Sequence, residues 1–155
     1  MVLINPHKIV DCSYLKHRSY SLAFTNGCFD ILHTGHIQSL KFAKSKADKL
    51  VVALNSDSSI KNLKGNSRPI LTLEHRMNVI SSLEFVDYVL YFDEETPLNL
   101  IKKIKPDYLI KGSDYKIESV VGKEFVKEIF LAPFFDGIST TKIIEDILLR
   151  NMNDN

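Results

Sequence analysis

His33 and His36 stand three positions apart, with Thr34 and Gly35 between them. Each imidazole can donate a hydrogen bond to a phosphoryl oxygen. The apolar run Leu22-Ala23-Phe24 lies upstream and reads as a short buried strand. Downstream, Ile37, Leu40 and Ala43 share one face of a helical pattern. The histidines therefore sit where a strand hands over to a helix. A helix start offers unpaired N–H groups and the positive end of a dipole, so it attracts phosphate. Gly35 lets a phosphate come close to the backbone. The turn lacks the Gly-Lys-Ser/Thr of a Walker A loop and the G-x-G-x-x-G spacing of a dinucleotide fingerprint. No cysteine or acidic cluster at ligand spacing accompanies the histidines, which argues against a zinc pair. The bland alternative is a pair of histidines that merely caps a helix.

Four further segments carry chemistry. Asn55-Ser56-Asp57 follows the second strand pattern and leads into a glycine-containing basic stretch with Lys61, Lys64 and Arg68. Such a loop suits phosphate, or is simply solvated. Arg76, early in the next helix, reads as a supporting residue. Lys111-Gly112-Ser113-Asp114-Tyr115 ends another strand. There Gly112 permits a tight turn, while Asp114 and Tyr115 offer an acceptor and a ring to a sugar or base. Gly137-Ile138-Ser139-Thr140-Thr141-Lys142 opens an amphipathic helix with three consecutive hydroxyls. One hydroxyl is expected to cap the helix; the others, with the helix N–H groups, can bind the terminal phosphates of a nucleotide.

These residues need a frame. The chain has 155 residues, enough for one domain with a substantial core. A net charge of +1 gives no electrostatic footprint for nucleic acid. Cys12 and Cys28 are too few for a disulfide framework; Cys28 reads as a packing residue. No run reaches transmembrane length and no signal-peptide core is present. The expectation is a cytoplasmic protein that engages neither membrane nor nucleic acid.

Strand patterns at Lys49–Asn55, Asp87–Phe92, Asp107–Lys111 and Glu128–Ala132 alternate with helical ones. That alternation predicts an α/β fold, a Rossmann-like parallel sheet of about five strands flanked by helices. A helix is expected over Leu73–Leu83 with Thr72 as its cap. Another is expected to open at Thr96 and Pro97 and to stop before Pro106. Lys102, Lys103 and Lys105 then complement its negative end as solvated charges. The last helix is expected from Ser139 to Arg150, with Ile143, Ile144, Ile147 and Leu148 inward. Residues 1–20 read as an N-terminal extension, with a short helix around Lys8–Lys16. Residues 21–150 form the domain, and 151–155 a flexible tail. Open parallel sheets bind ligands at the carboxyl ends of their strands. The histidine element, Asn55, Lys111 and Gly112 all fall at such ends.

The element Gly27-Cys28-Phe29-Asp30 followed by His33-Thr34-Gly35-His36 resembles the signature of the cytidylyltransferase-like nucleotidyltransferases, the HxGH type. Gly137-Ile138-Ser139-Thr140-Thr141-Lys142-Ile143 resembles that family's second signature. Asn26–Asp30, Lys64-Gly65-Asn66-Ser67-Arg68-Pro69 and Lys111–Tyr115 are most similar to the branch that adenylylates D-glycero-β-D-manno-heptose 1-phosphate. Ser113 departs from that branch, which usually has a second glycine there. The resemblance spans about Thr25 to Ile144. In many such proteins this domain is half of a bifunctional polypeptide with a sugar kinase. At this length a stand-alone transferase is expected, with a separate kinase and phosphatase in the pathway. The family also suggests a homodimer.

What the resemblance implies is attack by a sugar 1-phosphate oxygen on the α-phosphate of ATP, giving ADP-heptose and pyrophosphate. A phosphate monoester has its second pKa at roughly 6, so the nucleophile is already largely dianionic. Catalysis is then positioning plus electrostatics. The expected catalytic residues are His33, His36, Lys64 and Thr141. Nucleotide binding is expected from Asn26, Gly27, Cys28, Phe29, Gly35, His36, Asn55, Lys111, Gly112, Ser139, Thr140 and Thr141. Sugar-phosphate binding is expected from Asp30, Lys64, Arg68, Asp114 and Tyr115. Mg²⁺ is expected mainly through the phosphates; Asp30 binds either a sugar hydroxyl or the metal. Two alternatives stand beside this reading. One is the same chemistry with CTP and glycerol 3-phosphate, whose branch the Gly-Ile-Ser-Thr-Thr-Lys ending resembles equally. The other is a non-catalytic nucleotide-binding regulatory module.

Overall fold

The computed structural model describes residues 7–133 and 137–153. Residues 1–6 of the expected extension and the last two of the expected tail lie outside it. Five strands form one parallel sheet: β1 (Leu22–Gly27), β2 (Lys49–Asn55), β3 (Tyr88–Phe92), β4 (Tyr108–Gly112) and β5 (Glu128–Ala132). Their spatial order is β3-β2-β1-β4-β5. Five helices accompany them: α1 (Thr34–Lys44), α2 (Asp57–Lys64), α3 (Leu73–Ser81), α4 (Leu98–Ile104) and α5 (Thr140–Asn153). This is a Rossmann-like, doubly wound parallel arrangement.

A parallel sheet is covered on both faces, so its strands read as continuous apolar runs. In β2, Leu50, Val52 and Leu54 face one core with Leu40 and Ala43 of α1 and Met77 and Ile80 of α3. Val51 and Ala53 face the other core, with Phe24, Leu109 and Ile101 and Ile104 of α4. The alternation is the period-2 pleat of the strand.

The sheet order reverses at β1. This strand pairs with β2 along its full length, Leu22 with Lys49 through Gly27 with Leu54. With β4 it pairs only at Ala23–Tyr108 and Phe24–Leu109. Beyond that point the Thr25 hydroxyl donates to the Ile110 carbonyl at 3.2 Å, and the two strands part. A crevice at such a switch point, outside the carboxyl ends of the strands, is where open α/β sheets take ligands.

Several elements differ from the sequence reading. Residues 57–64 are helix α2, not loop. Ser56 caps it by accepting from the Ser59 N–H, and Gly65 (φ 91°) ends it. Helix α3 stops at Ser81 and α4 starts at Leu98. Thr72 holds the expected cap position of α3 without a side-chain cap bond, whereas Pro97, not Thr96, holds that of α4. Residues 8–16 form turns instead of a helix. Ile9 bridges to Val89 at the edge of β3, and Leu15 is buried in the second core. The extension is thus packed onto the sheet, with Arg18 donating to the Ile104 and Lys105 carbonyls at the end of α4. Helix α5 runs through Asn153, into the expected tail. Ile147 and Leu148 are 52% and 57% exposed, against the expectation that they face inward.

Candidate active site

The crevice beside β1 opens into two adjoining chambers. The first, about 320 Å³, is walled by Thr25–Phe29 from the end of β1 and Ile110–Gly112 from the end of β4. His36, Ser39, Asp114 and Tyr115 complete it. The second, about 370 Å³, lies between the starts of α1 and α5. His33, Gly35, Lys64, Ser113, Pro133 and Ile138–Thr141 line it. His36, Ser39, Gly112 and Asp114 border both.

Helix α1 begins where His33, in extended conformation, takes the cap position without a side-chain cap bond. The first intrahelical bond runs from the Ile37 N–H to the His33 carbonyl. The preceding N–H groups of the turn are therefore free to meet an anion. The two imidazoles stack with centroids 3.7 Å apart, and the Phe29 ring meets His36 edge-on at 5.3 Å. Among the described residues neither Nδ1 has a hydrogen-bond partner. Burial, then the neighbouring His33 and Lys64 charges, push the His36 pKa down to about 4. His33 is lowered too, by burial. Both rings are neutral at pH 7 and act as N–H donors, not as fixed cations.

Gly35 leaves room for this stack. A Cβ there would sit 3.1 Å from both Cε1 and Nδ1 of His33. Across the crevice Gly112 lets the Asp114 carboxylate approach: a Cβ there would meet it at 2.5 Å, so the carboxylate would have to move. Lys111 donates to the Asn26 side-chain carbonyl, with its ammonium 5.4 Å from the Tyr115 ring centre. Burial lowers its pKa to about 8.

The three hydroxyls at the start of α5 divide their work. Ser139 caps the helix by accepting from the Lys142 N–H at 3.1 Å. Thr140 donates to the Asp30 carbonyl at 2.6 Å. Thr141 lines the second chamber and is exposed.

Four expected site residues lie behind the wall. Asp30 is 1% exposed. Its carboxylate accepts from Arg68 Nε (2.8 Å) and the Ile70 and Leu71 N–H groups (both 2.9 Å). Burial raises its pKa, but these three donors outweigh burial and hold it below the usual range. This departs from the expected sugar or metal ligand: the carboxylate is buried on these three donors and lines neither chamber. Arg68 is correspondingly committed to Asp30 and lines neither chamber. Asn55 is buried, with its amide donating to Ser59 Oγ at 3.0 Å. Arg76 donates to the Cys28 carbonyl (2.7 Å), the Asn55 carbonyl (2.8 Å) and the Leu71 carbonyl (3.0 Å), and pairs with Asp57. It joins the ends of β1 and β2 from below. The remaining expected residues line one or both chambers.

Ser39 borders both chambers and escaped the sequence reading. The signal was its spacing: it follows His36 by three residues on α1, so the two share a face. Thr25, Ile110, Pro133 and Ile138 were also missed, since apolar or small wall residues carry no chemical mark.

Residues 24–146 match the cytidylyltransferase-like family. The chain is 58% identical over 127 residues to "Bifunctional protein HldE" of Campylobacter fetus subsp. fetus, covering 82% of this chain and 28% of that protein. It is 51% identical over 140 residues to the protein of the same name from Helicobacter pylori, covering 90% and 30%. The chain thus spans less than a third of the length of these relatives. Among solved structures, the lipopolysaccharide core biosynthesis protein from Thermoplasma volcanium GSS1 superposes with a TM-score of 0.63. That match has 30% identity and covers 77% of this chain and all of the other.

Proposed function

The chain belongs to the cytidylyltransferase-like family, and from that premise we propose that it transfers the adenylyl group of ATP to D-glycero-β-D-manno-heptose 1-phosphate. The products are ADP-heptose and pyrophosphate. One observation carries the reading: the starts of α1 and α5 converge on a single chamber, with His33, His36 and Lys64 between them. Two anion-seeking helix ends on one cavity suit a polyphosphate better than any neutral ligand. The heptose rests on the likeness of Asn26–Asp30, Lys64–Pro69 and Lys111–Tyr115 to that branch. A relative titled for lipopolysaccharide core biosynthesis supports it.

The sugar-phosphate oxygen attacks the α-phosphorus in line, and the bond from that phosphorus to the α,β-bridging oxygen breaks. The pyrophosphate carries away the electron pair. No base is needed, because the attacking monoester is already ionised. Neutral His33 and His36 donate N–H groups to the α- and β-phosphate oxygens, where charge builds. Thr141 and the α5 N–H groups hold the β- and γ-phosphates, and Lys64 neutralises charge at the chamber mouth. The first chamber, with Lys111, Asp114 and Tyr115, receives the sugar or base.

Among the described residues no three His, Cys, Asp or Glu side chains gather as a metal site. Among the described residues Asp114 is the one carboxylate lining the crevice. That donor set suits Mg²⁺ carried by phosphate oxygens and water, as this ion prefers; it would screen the phosphate charge. The same reading includes a homodimer, and sugar kinase and phosphatase activities that supply the heptose 1-phosphate. No helix among the described residues is long and apolar enough to cross a membrane.

The test is pyrophosphate release with Mg²⁺, crossing ATP, CTP and GTP against both heptose 1-phosphate anomers and glycerol 3-phosphate. Turnover confined to ATP and the β-anomer is expected. Turnover with CTP and glycerol 3-phosphate would keep the mechanism and move the substrate. Silence across the grid from folded protein would favour a regulatory module.

A further inference from the structure

The loop from Cys28 to His33 carries two non-glycine residues in the left-handed region, Phe29 (φ 49°) and Ile31 (φ 53°). Such conformations cost about 1–3 kcal/mol each and persist only where the surroundings over-determine them. Asp30 sits between them and is held at both ends. Its carboxylate takes Arg68 and the Ile70 and Leu71 N–H groups, all on the segment between α2 and α3. Its carbonyl takes the hydroxyl of Thr140, the first residue of α5. Three residues further on, His33 starts α1. Arg68 is itself turned back onto α2, its N–H donating to the Gly65 carbonyl beside Lys64. One residue thus bonds the start of α5 and the segment that follows α2, three residues before the cap of α1.

We propose that Asp30 is a positioning residue that locks the start of α5 and the Lys64 end of α2 to the His33–His36 turn. It does this through the Thr140 hydroxyl on one side and the Arg68–Leu71 segment on the other. Thr140 serves the phosphate site by this bond and gives its proton to Asp30, so it has none to donate to a phosphate. Breaking the bond lets the α5 start drift from the histidines. The effect falls on turnover, which needs both helix starts aligned, and not on capture of the sugar phosphate. The inference rests on the proposed function for its kinetic consequence but not for its structural one.

Thr140→Val and Thr140→Ser separate the two, since only serine keeps the donor. Pyrophosphate release with ATP and the heptose 1-phosphate is expected to show kcat about tenfold or more lower in the valine variant. KM for the sugar phosphate should stay near wild type, and serine should restore kcat. Equal impairment in both variants would overturn the lock. So would Asp30→Asn protein that is folded and shows only a raised sugar-phosphate KM. Amide hydrogen exchange gives a readout free of activity. The Ile70 and Leu71 amides, bonded to Asp30, should exchange about tenfold faster in Thr140→Val than in Thr140→Ser. Unchanged protection there would overturn the lock even if no substrate pair turns over in the wild type. Faster exchange without turnover would keep the lock and reject the substrates.

Discussion

Replacing Arg76 with methionine tests whether the floor of the crevice is held from below. The guanidinium is 1% exposed and donates to three carbonyls and one carboxylate. Methionine fills much of the same stem and donates nothing. Asp57 is 37% exposed, so water replaces its lost partner and that ion pair contributes little. The carbonyls of Cys28, Asn55 and Leu71 are another matter. Each buried acceptor left without a donor costs about 1–3 kcal/mol. Partial hydration from the crevice keeps the sum for the three carbonyls at the low end, about 3–5 kcal/mol. In a chain of 155 residues that loss lowers the thermal midpoint by roughly 6–20 °C. Thermal and urea unfolding followed by circular dichroism measure it. Arg76→Lys, which keeps the charge but loses the fork, should fall between wild type and methionine. A methionine variant within ~1 kcal/mol of wild type would refute the view that Arg76 staples β1 to β2.

Two further outcomes follow from the histidine turn. Gly35→Ala puts a methyl group 3.1 Å from the His33 ring, while alanine gains up to about 1 kcal/mol in helix propensity. Stability should hold or rise slightly as turnover falls about tenfold; a variant of full activity would remove the His33 ring position from the mechanism. The His36 pKa predicts acid sensitivity. Its folded value is about 4 against an ordinary 6.5, so between those values the unfolded chain takes up a proton that the folded chain refuses. Stability is therefore fully present above 6.5 and declines as pH falls through that window, by at most about 2 kcal/mol at pH 5. Urea unfolding at pH 7.5 and pH 5 should show a smaller decline in His36→Gln; an identical decline in both proteins would locate the acid sensitivity elsewhere.

The parts that were legible in sequence are those governed by one local rule. The strands of the sheet show as apolar runs because both faces are covered, and the histidine turn shows because strand, glycine and helix follow in order. Helix α2 was missed although Ser56 and Gly65 mark its ends. Its four polar residues among eight, Asp57, Ser58, Ser59 and Asn62, and its two lysines resemble a solvated loop, and only Ile60 reaches the core. Ile147 and Leu148 show the opposite failure. The helical period predicts which residues share a face, but not whether anything in this chain covers that face.

Asp30 shows why composition misassigned part of the site. A carboxylate three residues before His33 is chemically suited to a sugar or a metal. Its partners, however, are backbone N–H groups 40 and 41 residues away and an arginine 38 residues away. No local pattern encodes such partners. Nor does it encode the left-handed Ile31, which a β-branched residue adopts only under constraint. The strain and the buried carboxylate are one feature. The turn that presents His33 and His36 is unfavourable by itself, and the long-range bonds to Asp30 supply what keeps it. The proposed phosphate site is accordingly a property of the assembled sheet, and its geometry should soften first wherever those bonds are weakened.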